Sequence, residues 1–171
     1  RQMSYIYLMK ISETNSIRVC ELVLNHNEGE RSLWNIVWDS NISSTTLTQN
    51  NGRCYFIVVN SEIFKIGYSD CEGGIKSTIT SYRSSGNSGR PSDRTHGIHI
   101  LITEQLILGK KVEFYFHFNP LVSVDLTLMD GSITKIQNSI SGKILELKNM
   151  EIYKSKFNSY PIWNLQESGK P

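Results

Sequence analysis

The fold of this chain is decided by residues 53–69, RCYFIVVNSEIFKIGYS. This stretch holds two apolar runs, Cys54 to Val59 and Ile63 to Ile66, on either side of Asn60-Ser61-Glu62. Runs rich in β-branched and aromatic residues around a short polar segment predict a β-hairpin. Tyr55 lies near the start of the first strand and Lys65 lies ten residues later, on the second strand.

The turn decides whether Tyr55 and Lys65 share one face of the hairpin, because side chains alternate between faces along a strand. A two-residue turn at Asn60-Ser61 sets Tyr55 opposite Ile66 and sends Lys65 to the other face. A three-residue turn sets Tyr55 opposite Gly67 and brings both side chains to one face. A shared face therefore requires an odd loop or a β-bulge.

Outward from the hairpin, hydrophobic periodicity predicts further strands and helices in an α+β order. We predict strands at residues 3–11, 17–24, 33–38, 111–118 and 121–129 and helices at residues 75–82, 98–108 and 139–157, with loops at 40–52 and 83–93. The expected fold is a small antiparallel β-sheet flanked by helices. We expect residues 1–171 to form a single domain, made of an N-terminal β-rich extension (1–52), a core (53–161) and a tail (162–171).

Composition excludes several classes of protein. The chain has 171 residues, 39% of them hydrophobic, and apolar residues are spread along its whole length, which excludes global disorder. No apolar run approaches the roughly 18 residues that span a bilayer, so we expect no membrane partner. Three cysteines without C-x-x-C spacing predict neither a disulfide framework nor a zinc site. With no signal peptide visible, we expect a cytoplasmic protein.

The net charge is only +2, but basic residues are concentrated in one part of the chain. Residues 75 to 111 include six basic residues and only two acidic ones, Asp93 and Glu104. A local excess of this kind is typical of a surface that binds phosphates, and the alternative is a solvated loop. The candidate DNA-binding residues are Lys76, Arg83, Arg90, Arg94, Lys110 and Lys111.

The motifs Arg53-Cys54-Tyr55 and Lys65-Ile66-Gly67 resemble the core of the GIY-YIG nucleases. The resemblance is to small type II restriction endonucleases whose second motif is Lys-Ile-Gly, and it extends to Thr80-Ser81-Tyr82 and to Gly109-Lys110-Lys111-Val112. It covers about residues 53–161. It implies a Mg²⁺-dependent endonuclease that hydrolyses double-stranded DNA and acts as a homodimer, since one site per chain must cut two strands.

The resemblance also implies roles for individual residues. Tyr55 is expected to be the base or its orienter, and Lys65 its electrostatic partner. An unperturbed phenol has a pKa of about 10, and a neighbouring cation favours its ionised form. Tyr68 and Tyr82 are expected to contact the phosphate or the water.

The implied metal ligand is a glutamate on the last helix. Glu146 is preferred to Glu151, because it lies fifteen residues before Pro161, as the family spacing requires. A single carboxylate that leaves several waters on the metal suits Mg²⁺. His96 and His99 are interpreted as a helix-face pair rather than a zinc site.

One position departs from the family pattern. Thr78 stands where the family carries a helix arginine, four residues before the tyrosine equivalent to Tyr82. A threonine cannot neutralise a phosphoryl charge, so we expect another cation to replace it. Arg83 is the first candidate and Lys76 the second, and the loop arginines Arg90 and Arg94 are the third. The alternative functions are a non-catalytic DNA-binding module on the same core and an α+β interaction domain.

Overall fold

A computed structural model of the chain describes residues 8–26, 32–85 and 92–164. Its strands are β1 (Ile17–Leu24), β2 (Trp34–Trp38), β3 (Arg53–Val59), β4 (Glu62–Ser69), β5 (Val112–Phe118), β6 (Leu121–Thr127) and β7 (Ile133–Ser139). Its helices are α1 (Ser44–Thr48), α2 (Gly74–Ser84), α3 (Asp93–Ile107) and α4 (Gly142–Phe157). Arg90, most of the predicted tail and residues 3–7 of the first predicted strand lie outside the described residues. Within those ranges, none of the helices combines the length and the hydropathy that crossing a bilayer requires.

Five strands form one antiparallel sheet in the order β2-β1-β5-β3-β4, and β6 and β7 form a separate two-stranded ribbon. The predicted α+β class, with an antiparallel sheet flanked by helices, is confirmed. Strand β1 pairs with β5, so the N-terminal strands complete the central sheet and do not form a separate layer. The hairpin β3–β4 lies at one edge of this sheet, and a single antiparallel bridge between Lys10 and Glu62 covers the outer side of β4 at its start.

Helices cover both faces of the central sheet, because β3 is apolar on both sides. Tyr55 and Ile57 face one cluster, which contains Ile75 and Ile79 of α2. Phe56 and its alternating neighbours face a second cluster, which includes residues of α4. A strand that is buried on both faces reads as a continuous apolar run, as β3 does.

The hairpin turn is a two-residue turn followed by a bulge. Asn60 and Ser61 both have positive φ, 48° and 70°, which is the conformation of a type I′ turn. The register then shifts at Phe64, so that Tyr55 pairs with Gly67 and Ile57 with Lys65. The expectation that an odd loop or a bulge brings Tyr55 and Lys65 to one face is confirmed, and the device is the bulge.

Three local predictions were incomplete. The predicted loop at 40–52 contains the short helix α1, which begins after a Ser43 side chain that accepts a hydrogen bond from Thr46 N. Over the described residues 8–11, the strand predicted at 3–11 is wrong, because Lys10 makes only an isolated bridge with Glu62 and a 3₁₀ turn, Ile11–Glu13, begins directly after it. The N-terminal part of the predicted helix at 139–157 is wrong, because strand β7 runs through Ser139 and the helix begins at Gly142.

Helix α4 is fixed to the end of β4 by a carboxylate. Asp70 accepts hydrogen bonds from Gly142 N (2.7 Å) and from Ser141 Oγ (2.6 Å), so the helix begins directly beside the end of this strand. Gly142 also lies against the backbone of β3, where an added Cβ would stand 2.4 Å from Arg53 O. The orientation of α4 therefore depends on close contact between two backbones.

We expect Gly142→Ala to lower the free energy of unfolding by about 1–3 kcal/mol, because the methyl group would push two backbones apart. Gly97→Ala is the matched control. No atom lies within 4 Å of a Cβ added at Gly97 inside α3, so this variant should gain about 0.5–1 kcal/mol from helix propensity. Urea denaturation measures both, and equal stabilities would contradict the packing argument.

Candidate active site

A hydrogen-bonded pair of tyrosines lies between the sheet and α2. The Oη atoms of Tyr55 on β3 and Tyr82 on α2 share a short hydrogen bond. Their ring centroids are 6.1 Å apart with the ring planes at 71°, and both rings also pack on Phe114 of β5. One phenol donates to the other, which leaves the pair one further O–H proton to donate outward.

The electrostatic surroundings keep both phenols protonated. Burial raises the pKa of Tyr55 well above 10, and the charge and hydrogen bond of Tyr82 raise it further. Burial also raises the pKa of Tyr82, although its hydrogen bond with Tyr55 acts in the opposite direction. Arg94 lowers the pKa of both groups, whereas Glu146 raises it. The sequence predicted a phenol made more acidic by a cation, but burial is the larger effect.

Gly67 allows the Tyr55 ring to lie against β4. A Cβ at this position would stand 2.3 Å from Tyr55 Cζ and 2.4 Å from its Oη. Lys65, two residues earlier on β4, is fully buried and projects from the same face as Tyr55, since it pairs with Ile57. The Lys-Ile-Gly motif thus combines a buried amine with a residue that makes room for the phenol.

The two candidate glutamates of α4 occupy different surroundings. Glu146 is buried, and its charge raises the pKa of Tyr55, Tyr82 and Cys54, so it lies within electrostatic reach of the tyrosine pair. Glu151 is exposed and forms a surface ion pair with Lys148 at 2.8 Å. Of the two carboxylates, Glu146 is the one whose charge acts on the pKa of both tyrosines, from a helix that packs on the opposite face of the sheet.

Glu146 is the candidate ligand for a divalent cation. Among the described residues, no three His, Cys, Asp or Glu side chains are grouped so that they could hold a metal ion together. Mg²⁺ keeps several waters and is commonly held by one or two carboxylates together with substrate phosphates. A single buried carboxylate such as Glu146 suits that mode of binding.

Thr78 is joined to a buried arginine by hydrogen bonds. Its Oγ1 donates to Ser69 Oγ at 2.6 Å, and Arg53 Nη2 donates to the same oxygen at 3.3 Å. The Arg53 guanidinium is fully buried and also donates to Cys71 O at 2.6 Å and to Asn51 O at 2.6 Å. A positive charge therefore lies directly behind Thr78, although it is fixed by backbone carbonyls.

The predicted replacements for the helix arginine are not all near the tyrosines. Arg83 turns away from them, since its Nε donates to Trp34 O (3.2 Å) and its Nη2 to Asn35 Oδ1 (2.7 Å) on β2. Lys76 is an exposed residue on α2. Arg94, in the first turn of α3, is the candidate whose charge acts on both phenols.

The remaining basic candidates lie at a different end of the sheet. Lys111 forms ion pairs with Glu113 at 2.9 Å and Glu21 at 3.8 Å, and its carbonyl oxygen accepts a hydrogen bond from Asn60 N in the hairpin turn. Lys110 Nζ donates to Gln105 Oε1 at 2.7 Å. The basic residues at 75–111 thus do not form one continuous surface in the described part of the chain.

Two further predicted residues have definite places. Tyr68 is 40% exposed and pairs with Cys54, so it projects from the opposite face of β4 to Lys65, towards the α4 side. The rings of His96 and His99 stack with centroids 6.4 Å apart, and each Nδ1 faces a backbone carbonyl, Ser85 O at 3.3 Å and Tyr82 O at 2.9 Å. This arrangement agrees with a helix-face pair.

Sequence reasoning did not find two residues that shape the site. Asp70 fixes the start of α4 and Arg53 lies behind Thr78. Asp70 gave no local signal, because its partner Gly142 lies 72 residues away. Arg53 begins the first motif, where an arginine at the start of a strand is expected to be exposed.

Comparison with solved structures shows a likeness in fold. An EndoII mutant from bacteriophage T4 superimposes with a TM-score of 0.55 at 24% sequence identity, over 90% of this chain and 94% of EndoII. The restriction endonuclease HPY188I, solved in complex with product DNA, gives a TM-score of 0.49 at 23% identity over 91% of this chain and 85% of its own. Neither a protein-family model nor a curated protein sequence matches the chain.

Proposed function

We propose that this protein is a Mg²⁺-dependent endonuclease of the GIY-YIG type that hydrolyses double-stranded DNA, as type II restriction enzymes do. The observation that carries the proposal is the buried Tyr55–Tyr82 hydrogen bond on the face that Lys65 also occupies, within electrostatic reach of Glu146. The fold likeness to EndoII, whose name marks it as an endonuclease, is consistent with this function.

In this proposal the tyrosines orient groups and do not carry a negative charge. Since burial keeps the pKa of Tyr55 well above 10, its phenol stays protonated at neutral pH. The outward O–H of the pair would donate to a phosphoryl oxygen or hold the attacking water in line. Lys65 would supply positive charge beside the reacting phosphate. Tyr68, on the other face of β4, would contact DNA or the metal-bound water from the α4 side.

Glu146 would hold the single Mg²⁺ ion. The bound ion would supply Lewis-acid stabilisation of charge on the phosphate and lower the pKa of a bound water. In this proposal the metal and the tyrosines act on the same phosphate, which the influence of the Glu146 charge on both phenols supports. The carboxylate leaves the rest of the coordination sphere to water and to phosphate oxygens.

The proposed substrate contacts centre on Arg94, with Arg90, four residues earlier in the sequence, as a further candidate. An arginine fork can hold two phosphoryl oxygens at once, which a lysine cannot do. Arg94 is exposed in the first turn of α3 and acts on both phenols, which favours it over Arg83 as the replacement for the family arginine. Lys76 remains the candidate for a second contact to the DNA backbone.

Conversion of supercoiled plasmid to nicked and linear forms tests the function. We expect cleavage in Mg²⁺, none in EDTA, and binding without cleavage in Ca²⁺. Linear product formed directly, without a long-lived nicked form, would support concerted cutting by two copies. Absence of any cleavage in Mg²⁺ or Mn²⁺ would contradict the proposal, provided that the protein melts cooperatively.

One observation favours a second function, a DNA-binding module that does not cleave. Thr78 occupies the arginine position and is fully engaged with Ser69, so α2 itself offers no cation there. A gel shift in Ca²⁺ together with no cleavage in any divalent metal would establish this function. If the protein neither binds nor cleaves DNA, the remaining alternative is an α+β interaction domain.

We expect Arg94→Ala to lower the single-turnover cleavage rate at saturating DNA by about 10²-fold, the usual cost of losing a charge-assisted contact at a developing charge. Arg83→Ala is the matched control, and it should cleave at nearly the wild-type rate because its guanidinium binds β2. Lys76→Ala should weaken DNA affinity and reduce its salt dependence with the rate nearly intact. If Arg83→Ala instead lost cleavage and Arg94→Ala kept it, the cation that replaces the family arginine would be Arg83 of α2.

A further inference from the structure

The β6–β7 ribbon is amphipathic, although both of its faces are open in the described structure. Every residue of β6 is exposed, as is nearly all of β7. Alternation places Ser123, Asp125 and Thr127 on one face together with Leu121 and Ile133, and Asp125 pairs there with Lys135. The other face, here called the apolar face, carries Val122, Val124, Leu126, Leu128 and Ile136 together with the uncharged polar residues Thr134 and Asn138.

Such a pattern is typical of a sheet with one buried face. Yet Val122, Val124, Leu126 and Leu128 are each 38–45% exposed, and among the described residues no helix or strand covers them. An isolated two-stranded ribbon is marginally stable in water and needs further packing to persist. The alternation therefore predicts a partner that covers the apolar face.

The charge of the ribbon argues against DNA as that partner. A two-stranded ribbon can enter the major groove, but it then needs cations that meet the phosphates. Residues 121–139 carry Asp125 and Asp130 against Lys135 alone, a net charge of −1. Asp125 and Lys135 project from the opposite face and Asp130 lies in the turn between the strands, so the paired residues of the apolar face include no charged side chain.

We propose that the apolar face binds the same face of a second copy of this chain about a two-fold axis. Because the face carries no charge, a self-association of this kind opposes no like charges, and the Asp125–Lys135 pair stays in water. The two ribbons would stack as two layers about 10 Å apart, as packed sheets do. The pairing would also supply the two active sites that cutting both strands needs, and this last argument alone rests on the proposed function.

A dimer interface built on the apolar face would have to extend beyond the ribbon. The apolar face leaves on the order of 300 Å² exposed, which is within the size of the largest apolar patch on a typical monomer. Stable dimers bury roughly 800 Å² per partner. Exposed apolar side chains also lie at the tip of the ribbon, at Met129, and at its opposite end, at Ile140 and on α4 at Ile144 and Leu147.

Sedimentation equilibrium of the full chain, without DNA or metal, tests this inference. We expect a dimer at micromolar concentration, and we expect Val124→Glu to raise the dissociation constant by at least about 10²-fold, since it would bury an unpaired carboxylate. Ser123→Glu is the matched control, because it places the same charge on the adjacent residue of the opposite face, and it should change the constant by less than about threefold. Leu126→Glu and Thr127→Glu form a second pair with the same expectation.

The outcomes separate this inference from the proposed function. A wild-type chain that stays monomeric at about 100 µM overturns the inference, as do equal effects of the paired variants. A Val124→Glu variant that remains dimeric but loses DNA affinity shows that the face binds DNA and also overturns it. A dimer that dissociates as expected, in a protein that never cleaves plasmid, upholds the inference while the proposed function fails.

Discussion

Glu146→Gln should abolish Mg²⁺-dependent cleavage, with a loss of at least about 10³-fold in single-turnover rate. The amide keeps the shape of the side chain but removes the negative charge that would hold the metal. Lewis-acid stabilisation of a transferring phosphoryl group amounts to several kcal/mol, and each 1.36 kcal/mol is tenfold in rate. DNA affinity in Ca²⁺ should stay within a few-fold, because the metal stabilises the transition state far more than the ground state.

Glu151→Gln is the matched control, on the same helix one and a half turns later. Its carboxylate is exposed in an ion pair with Lys148, an interaction that contributes about 0–1 kcal/mol. We expect wild-type cleavage and a nearly unchanged melting temperature. Normal cleavage by Glu146→Gln, together with loss of cleavage in Glu151→Gln, would show that the ligand is assigned to the wrong turn of α4.

Tyr55→Phe should lower the cleavage rate by at least about 10²-fold, the low end for loss of a positioned proton donor or acceptor. The ring still packs on Phe114 and Phe116, so the fold should persist. The Tyr82 hydroxyl loses its partner, and we expect a destabilisation of about 1–3 kcal/mol in urea. Tyr115→Phe, on β5, is the matched control and should leave the rate unchanged.

The pH profile distinguishes an orienting phenol from a tyrosinate base. Since burial raises the pKa of Tyr55 well above 10, the phenol is protonated throughout pH 6–9. Tyr55→Phe should then reduce the rate by the same factor at every pH in this range. A wild-type rate that rises through an ionisation below pH 9, absent from the variant, would identify Tyr55 as the base.

Local patterns predicted most of the fold. The hairpin, α2 and β5 follow from alternation or helical periodicity of apolar residues, which is a property of each segment alone. Strand β7 was missed because its sequence, ITKIQNS, is largely polar and is almost wholly exposed, so burial left no pattern to detect. Helix α1 was missed because five residues with one leucine have no apolar stripe.

The sequence predicted only those features of the candidate site that depend on the spacing of residues along the chain. Two such features are the ten-residue interval from Tyr55 to Lys65 and the fifteen-residue interval from Glu146 to Pro161. Arg83 and Arg94 could not be ranked, because the direction of each guanidinium depends on how α2 and α3 cross the sheet. The protonated state of Tyr55 also depends on burial between elements that are distant in sequence.

The bulge at Phe64 decides which face of the hairpin carries Lys65 and Gly67 of the second motif. With the two-residue turn at Asn60 and Ser61, one extra residue on β4 puts Lys65 and Gly67 on the tyrosine side. Deleting the extra residue, Phe64, would leave an unbroken ladder in which Ile57 still pairs with Lys65, so the amine would stay on the tyrosine side. An unbroken ladder of unchanged length would instead pair Ile57 with Phe64 and Phe56 with Lys65, and the amine would point to α4. Loss of the bulge without loss of a residue therefore exchanges the two faces, while substitutions within the turn are free as long as the left-handed conformation is kept.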